Sequence, residues 1–183
     1  MIERIKKRVS IIGVPRTTAL ALIGLSILLT LGFIFSNSVK SQASSAAQSS
    51  SFQAVIEEII PKDTDFGAFV FQNLRKIAHF TEYGLLGIEA VAFTVVLTRR
   101  RALMYKRLGL SLIFALLTAF IDETIQIFSK RGPSVSDMWI DIGGFFTYAA
   151  LAYAIFEIAI LIKNAVLKLR SRRHGKRDEK WSE

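Results

Sequence analysis

The sequence predicts an all-α integral membrane bundle of four transmembrane helices, with an interfacial amphipathic segment after the first. Three observations predict it. Thr17 to Phe35, "TTALALIGLSILLTLGFIF", carries no charge. At 1.5 Å rise per residue it spans roughly 28 Å, close to the ~30 Å hydrocarbon core of a bilayer. Three more apolar runs follow, near residues 77–98, 108–128 and 138–162. A soluble fold would have to place four long helices, apolar nearly all round, in water. The cations, finally, are unevenly distributed between the ends of these runs, as topology demands.

Taken in order, residues 1–16 form a basic N-terminus and 17–35 the first span. The run is longer than the usual ~7–15 residue core of a signal peptide, so an uncleaved anchor is expected, although "SQASSAA" offers small residues for cleavage. Cleavage would leave three spans and the same outer face. Ser36 to Ser51 is a Ser/Ala-rich outer loop with little apolar surface to bury. In residues 52–74, Phe52, Val55, Ile56, Ile59 and Ile60 share one helix face that stops near Pro61. Phe66, Phe69, Val70 and Leu74 continue a helical stripe after Asp63, Thr64 or Asp65, any of which can cap. Such a segment lies along the interface or packs over the bundle. The other three spans complete a membrane domain over 17–163, and 164–183 is a basic tail.

Of the 24 Lys and Arg residues, 18 lie in the N-terminus, in the link Arg99–Arg107 or in the tail, and the net charge is +9. The positive-inside rule therefore puts both termini in the cytoplasm of a multi-pass protein of the cell membrane. Basic sequence of this kind is a topology anchor against anionic lipid rather than a nucleic-acid site. The chain has no cysteine, which excludes disulfides, thiolate metal sites and a lipidated cysteine.

With that topology, three spans carry ionisable groups at their outer ends. The second offers His79 and Glu82, with Glu89 deeper on nearly the same face. The third offers Asp122, Glu123 and Gln126, and the fourth Asp137 and Asp141; the first span contributes no ionisable group. An acid or base at a helix centre costs ~2.5–3.5 kcal/mol on insertion scales. The carboxylates are therefore expected to face one another around a polar pocket. Arg75, Lys76 and Arg131 fall at its rim, suited to an anionic head group. Local roles are also open. Asp137 is expected to cap the fourth span, and Glu123 suits a single structural contact.

The stretches "FSNS", "RKIAHFTEYGLLG" and "DETIQIFSKRGPSVSDMWIDIGG" together resemble the VanZ-like family of small bacterial membrane proteins. The likeness runs from the first span to the fourth. It implies that Lys76, His79, Tyr83, Asp122, Glu123, Gln126, Arg131, Asp137 and Asp141 hold the family's marked positions. It also implies action on the cell envelope, since the family's namesake lowers susceptibility to the glycopeptide teicoplanin. Pattern and resemblance together give His79, Glu82, Asp122 and Asp141 as candidate catalytic residues. Lys76, Tyr83, Glu123, Gln126, Arg131 and Asp137 are the candidate binding residues.

Three functions fit this set. The first is binding or modifying a lipid-linked anionic envelope precursor or membrane lipid at the outer face. The second is metal-dependent chemistry on lipid phosphates: Asp122, Glu123, Asp137 and Asp141 offer hard oxygens to a divalent cation, with His79 or Glu82 as base. The third is a small proton-coupled transporter. The sequence carries no signature of a resident cofactor, and it leaves the metal and the oligomeric state open.

Overall fold

Each apolar run becomes a helix because a lipid-embedded backbone must satisfy its own N–H and C=O groups. The computed structural model describes residues 15–40, 50, 53–98, 101–129 and 134–179. Arg131 and most of the Ser-rich loop lie outside this set. Helix α1 is Arg16–Val39, α2 Asp65–Leu97, α3 Arg101–Phe128 and α4 Val135–Glu179. No strand occurs among the described residues, and all four helices are long and apolar enough to cross a membrane. Two compact units result. Residues 1–149 form the first, and residues 150–183, the later part of α4, form the second.

Within the first unit α2 is the hub, because its side chains bond to α1, α3 and α4. Its core side chains, Tyr83, Leu86 and Ala90, meet Ile34 of α1, Ala115 and Ala119 of α3, and Ile142 and Phe145 of α4. Small residues set the spacing. A methyl group on Gly87 would run into the backbone carbonyl of Phe145, and one on Gly144 into the carbonyl of Phe80. The two backbones therefore touch, the close approach by which membrane helices gain packing energy where lipid supplies no hydrophobic drive. The ring of Tyr148 covers Gly84 and meets Phe80 edge-on at 5.9 Å between centroids. The outward faces keep their large apolar side chains exposed, among them Leu22, Leu25, Leu29, Leu117 and Phe120.

The helix ends differ from the sequence pattern in three places. Helix α1 continues through Ser36–Val39, one turn beyond its apolar run, because Asn37 and Ser38 find partners inside the bundle. Residues 65–74 are not a separate piece but the opening turns of α2. Thr64 caps them, its hydroxyl accepting from the Gly67 N–H at 3.0 Å and donating to the Pro61 carbonyl at 2.9 Å. A short helical turn at 53–57 precedes them. At 33 residues, α2 is about 50 Å long, well beyond the ~30 Å of hydrocarbon. Helix α4 begins at Val135, with the Ser134 carbonyl accepting from Asp137 and Met138. Asp137 is thus in the first turn rather than at the cap, where its charge still complements the helix dipole.

At the opposite end of the bundle, Arg16 closes the C-terminus of α2. Its Nε donates to the Val96 carbonyl at 3.0 Å and its Nη2 to the Leu97 carbonyl. Those carbonyls have no partner within the helix, and a cation is favoured beside them.

Candidate functional site

Near the end of the bundle where α1 and α3 finish and α4 begins, the apolar core gives way to a buried polar cluster. His79 projects from α2, Asp122 and Gln126 from α3, and Asp141 from α4. Asp122, Gln126 and Asp141 are 0% exposed, and His79 is 8% exposed. The His79 Nδ1 lies 3.2 Å from Asp141 Oδ1 and 3.9 Å from Asp122 Oδ2. One ligand atom from each of these three side chains lies within 4.8 Å of the others.

A second layer orients the first. Ser38 donates its hydroxyl to Asp122 Oδ1, and Gln126 Nε2 donates to Asp122 Oδ2 at 3.0 Å. Arg75 Nη2 donates to Gln126 Oε1 at 2.7 Å and stands 3.7 Å from Asp137 Oδ2. Arg75 is half-exposed, so a chain of polar contacts runs from the rim to the buried carboxylate. Glu82 lies beside this chain and accepts from Asn37 Nδ2 at 3.1 Å, while Lys40 donates to the Asn37 side-chain oxygen at 2.8 Å.

Two buried polar atoms in the cluster lack a hydrogen-bond partner. They are Asp141 Oδ2 and the hydroxyl of Tyr83. Tyr83 is 0% exposed. Leaving such atoms unpaired costs ~1–3 kcal/mol each.

The structure brings His79, Asp122, Gln126 and Asp141 together, with Tyr83 and Glu82 beside them. Glu123 serves the turn into α4 instead, where its Oε2 accepts from the Ser134 N–H at 2.8 Å. Asp137 faces Arg75 at the rim, and Lys76 is exposed. Arg131 is outside the described residues. Glu89 is not part of the cluster. Its Oε1 accepts from Ser26 Oγ at 2.5 Å and Thr30 Oγ1 at 3.0 Å, about 18 and 12 Å along α1 from Ser38 respectively.

Helix α1 has no ionisable side chain in the cluster, yet its polar side chains hold two of the buried acids. Ser38 and Asn37 escape a search for ionisable residues. The signal that finds them is the "FSNS" stretch, which contains both and carries part of the family resemblance.

Among known proteins, the VanZ/LLP1 family model matches residues 19–159. No curated protein and no solved structure matches the chain. The matched stretch contains all four helices in whole or part and every residue of the buried cluster.

Proposed function

This chain belongs to the VanZ/LLP1 family, and from that premise we propose that it acts on the cell envelope at the outer face of the cytoplasmic membrane. There it lowers susceptibility to teicoplanin-type glycopeptides by binding or modifying a lipid-linked anionic envelope component. The observation that carries this reading is the path from the half-exposed Arg75 through Gln126 to buried Asp122. A guanidinium at the rim recognises phosphate or carboxylate with two donors. The groups behind it, His79, Asp141 and Glu82, can accept or donate protons to the same head group.

The test is the minimal inhibitory concentration of teicoplanin in cells lacking or overproducing the protein. Overproduction is expected to raise it and deletion to lower it. His79→Ala and Arg75→Ala should abolish the rise while the protein still reaches the membrane at normal levels on an immunoblot. An unchanged inhibitory concentration in both strains, with protein present, overturns the reading.

The grouping of His79, Asp122 and Asp141 favours a second reading, an enzyme acting on lipid phosphates. Its test is phosphate release from lipid phosphates by the purified protein. No release with any divalent ion removes it.

A further inference from the structure

We propose that His79, Asp122 and Asp141 form a binding site for a single divalent transition-metal ion of the Zn²⁺ class. This deepens the envelope reading, on whose site it rests, by naming what occupies the centre of the cluster.

The donor set is the first argument. One imidazole and two carboxylates are common Zn²⁺ ligands, and the imidazole favours a transition metal over Mg²⁺ or Ca²⁺. The Nδ1 of His79 is 3.2 Å from one carboxylate oxygen and 3.9 Å from the other. Ligands about 2.1 Å from a common ion stand roughly 3.0–3.5 Å apart; the three atoms lie within 4.8 Å of one another, so the widest pair must draw together on binding.

Charge balance is the second. A histidine that ligates an ion must be neutral, and two ionised carboxylates beside it then carry two negative charges in a region of low dielectric, which is costly without a partner. A divalent cation cancels both. Arg75 stands at the rim, bonded to Gln126 and 3.7 Å from Asp137.

The unpaired atoms are the third argument, and one of them, the Tyr83 hydroxyl, lies outside the donor set. Asp141 Oδ2 and the Tyr83 hydroxyl are buried without hydrogen-bond partners in an otherwise well-bonded site. An ion engages the first directly. A water on its open coordination position gives the second a partner.

Finally, the surroundings have the form of a metal site's supporting shell. Ligating carboxylates are usually held by further hydrogen bonds that fix their orientation. Asp122 has two such bonds, from Ser38 and Gln126, and Gln126 is held in turn by Arg75. Each carboxylate oxygen has a further lone pair, so these bonds leave room for a metal.

The experiment uses the full chain purified in detergent, stripped with a chelator and titrated calorimetrically with Zn²⁺, with Mg²⁺ in parallel. Bound metal is counted by mass spectrometry after desalting. One Zn²⁺ per chain is expected, held more tightly than Mg²⁺. Asp141→Asn keeps the side-chain shape and should weaken binding at least about tenfold, and Gln126→Ala, a positioning residue, about 10–100-fold. A variant that fails to fold leaves the wild-type stoichiometry and Zn²⁺ preference to decide. Absence of stoichiometric Zn²⁺ overturns the proposal, and so does binding that Asp141→Asn leaves unchanged in a folded protein. The titration is independent of glycopeptide susceptibility. Zn²⁺ binding with an unchanged inhibitory concentration supports the metal site while removing the resistance reading; the converse does the opposite.

Discussion

Asp122 shows how a carboxylate is kept in a place that disfavours charge. Its two oxygens take hydrogen bonds from different helices, Ser38 on α1 and Gln126 on α3. Ser38→Ala should therefore cost ~1–3 kcal/mol, the range for leaving a buried polar group short of a partner. Thermal unfolding of the detergent-purified protein measures it. Ser36→Ala is the control: that side chain is exposed and bonds only to the Phe33 carbonyl of its own helix, so its loss should stay within about 0.5 kcal/mol. Glu89 gives a second prediction. Glu89→Gln keeps an oxygen to accept from Ser26 and Thr30 while removing a charge, and should melt at or above the wild-type temperature. Glu89→Leu removes that oxygen and should melt lower. At this scale the sequence announced His79, Asp122 and Asp141 because ionisable groups stand out among apolar neighbours. Ser38 and Asn37 were hidden, since uncharged polar residues at the end of a greasy run read as the start of a loop. Glu89 was legible as buried and deeper than the cluster, but its partners Ser26 and Thr30 were not, because uncharged hydroxyls on an apolar helix carry nothing that marks them.

Between helices, the packing of α2 on α4 depends on the absence of two methyl groups. Gly87→Ala and Gly144→Ala each drive a Cβ into a backbone carbonyl that cannot move without its helix. Overpacking of ordinary cores costs ~1–3 kcal/mol and occasionally more. These two substitutions belong at or above the top of that range, read as loss of folded protein on size-exclusion chromatography. Gly143→Ala tests the explanation, because its Cβ would meet only Phe80 Cε2, at 3.9 Å, and should be tolerated. The lengths of the spans were visible in the sequence, since an uncharged run directly reports what lipid permits. The start of α2 was not. Residues 65–74 are amphipathic and follow a proline and a cap, which describes a separate surface helix as well as the first turns of a long one.

For the molecule as a whole, the outward-facing cluster that we propose rests on the cation distribution of the sequence. Alkaline phosphatase inserted in the loop between α1 and α2 should be active, and the same reporter fused after Glu183 inactive. The reversed pattern would put the cluster on the cytoplasmic side and end its assignment to the envelope. Arg16 joins the start of α1 to the end of α2, so those two helix ends share one end of the bundle.

The surplus length of α2 fixes how far down the cluster sits. His79 stands 18 residues before Leu97, about 27 Å up the helix axis. With Leu97 level with one edge of a ~30 Å hydrocarbon layer, the imidazole lies only about 3 Å short of the other edge. The fourteen residues from Asp65 to His79 then rise about 21 Å through the head groups into water. A phosphate or a sugar can meet Arg75 without leaving its own layer.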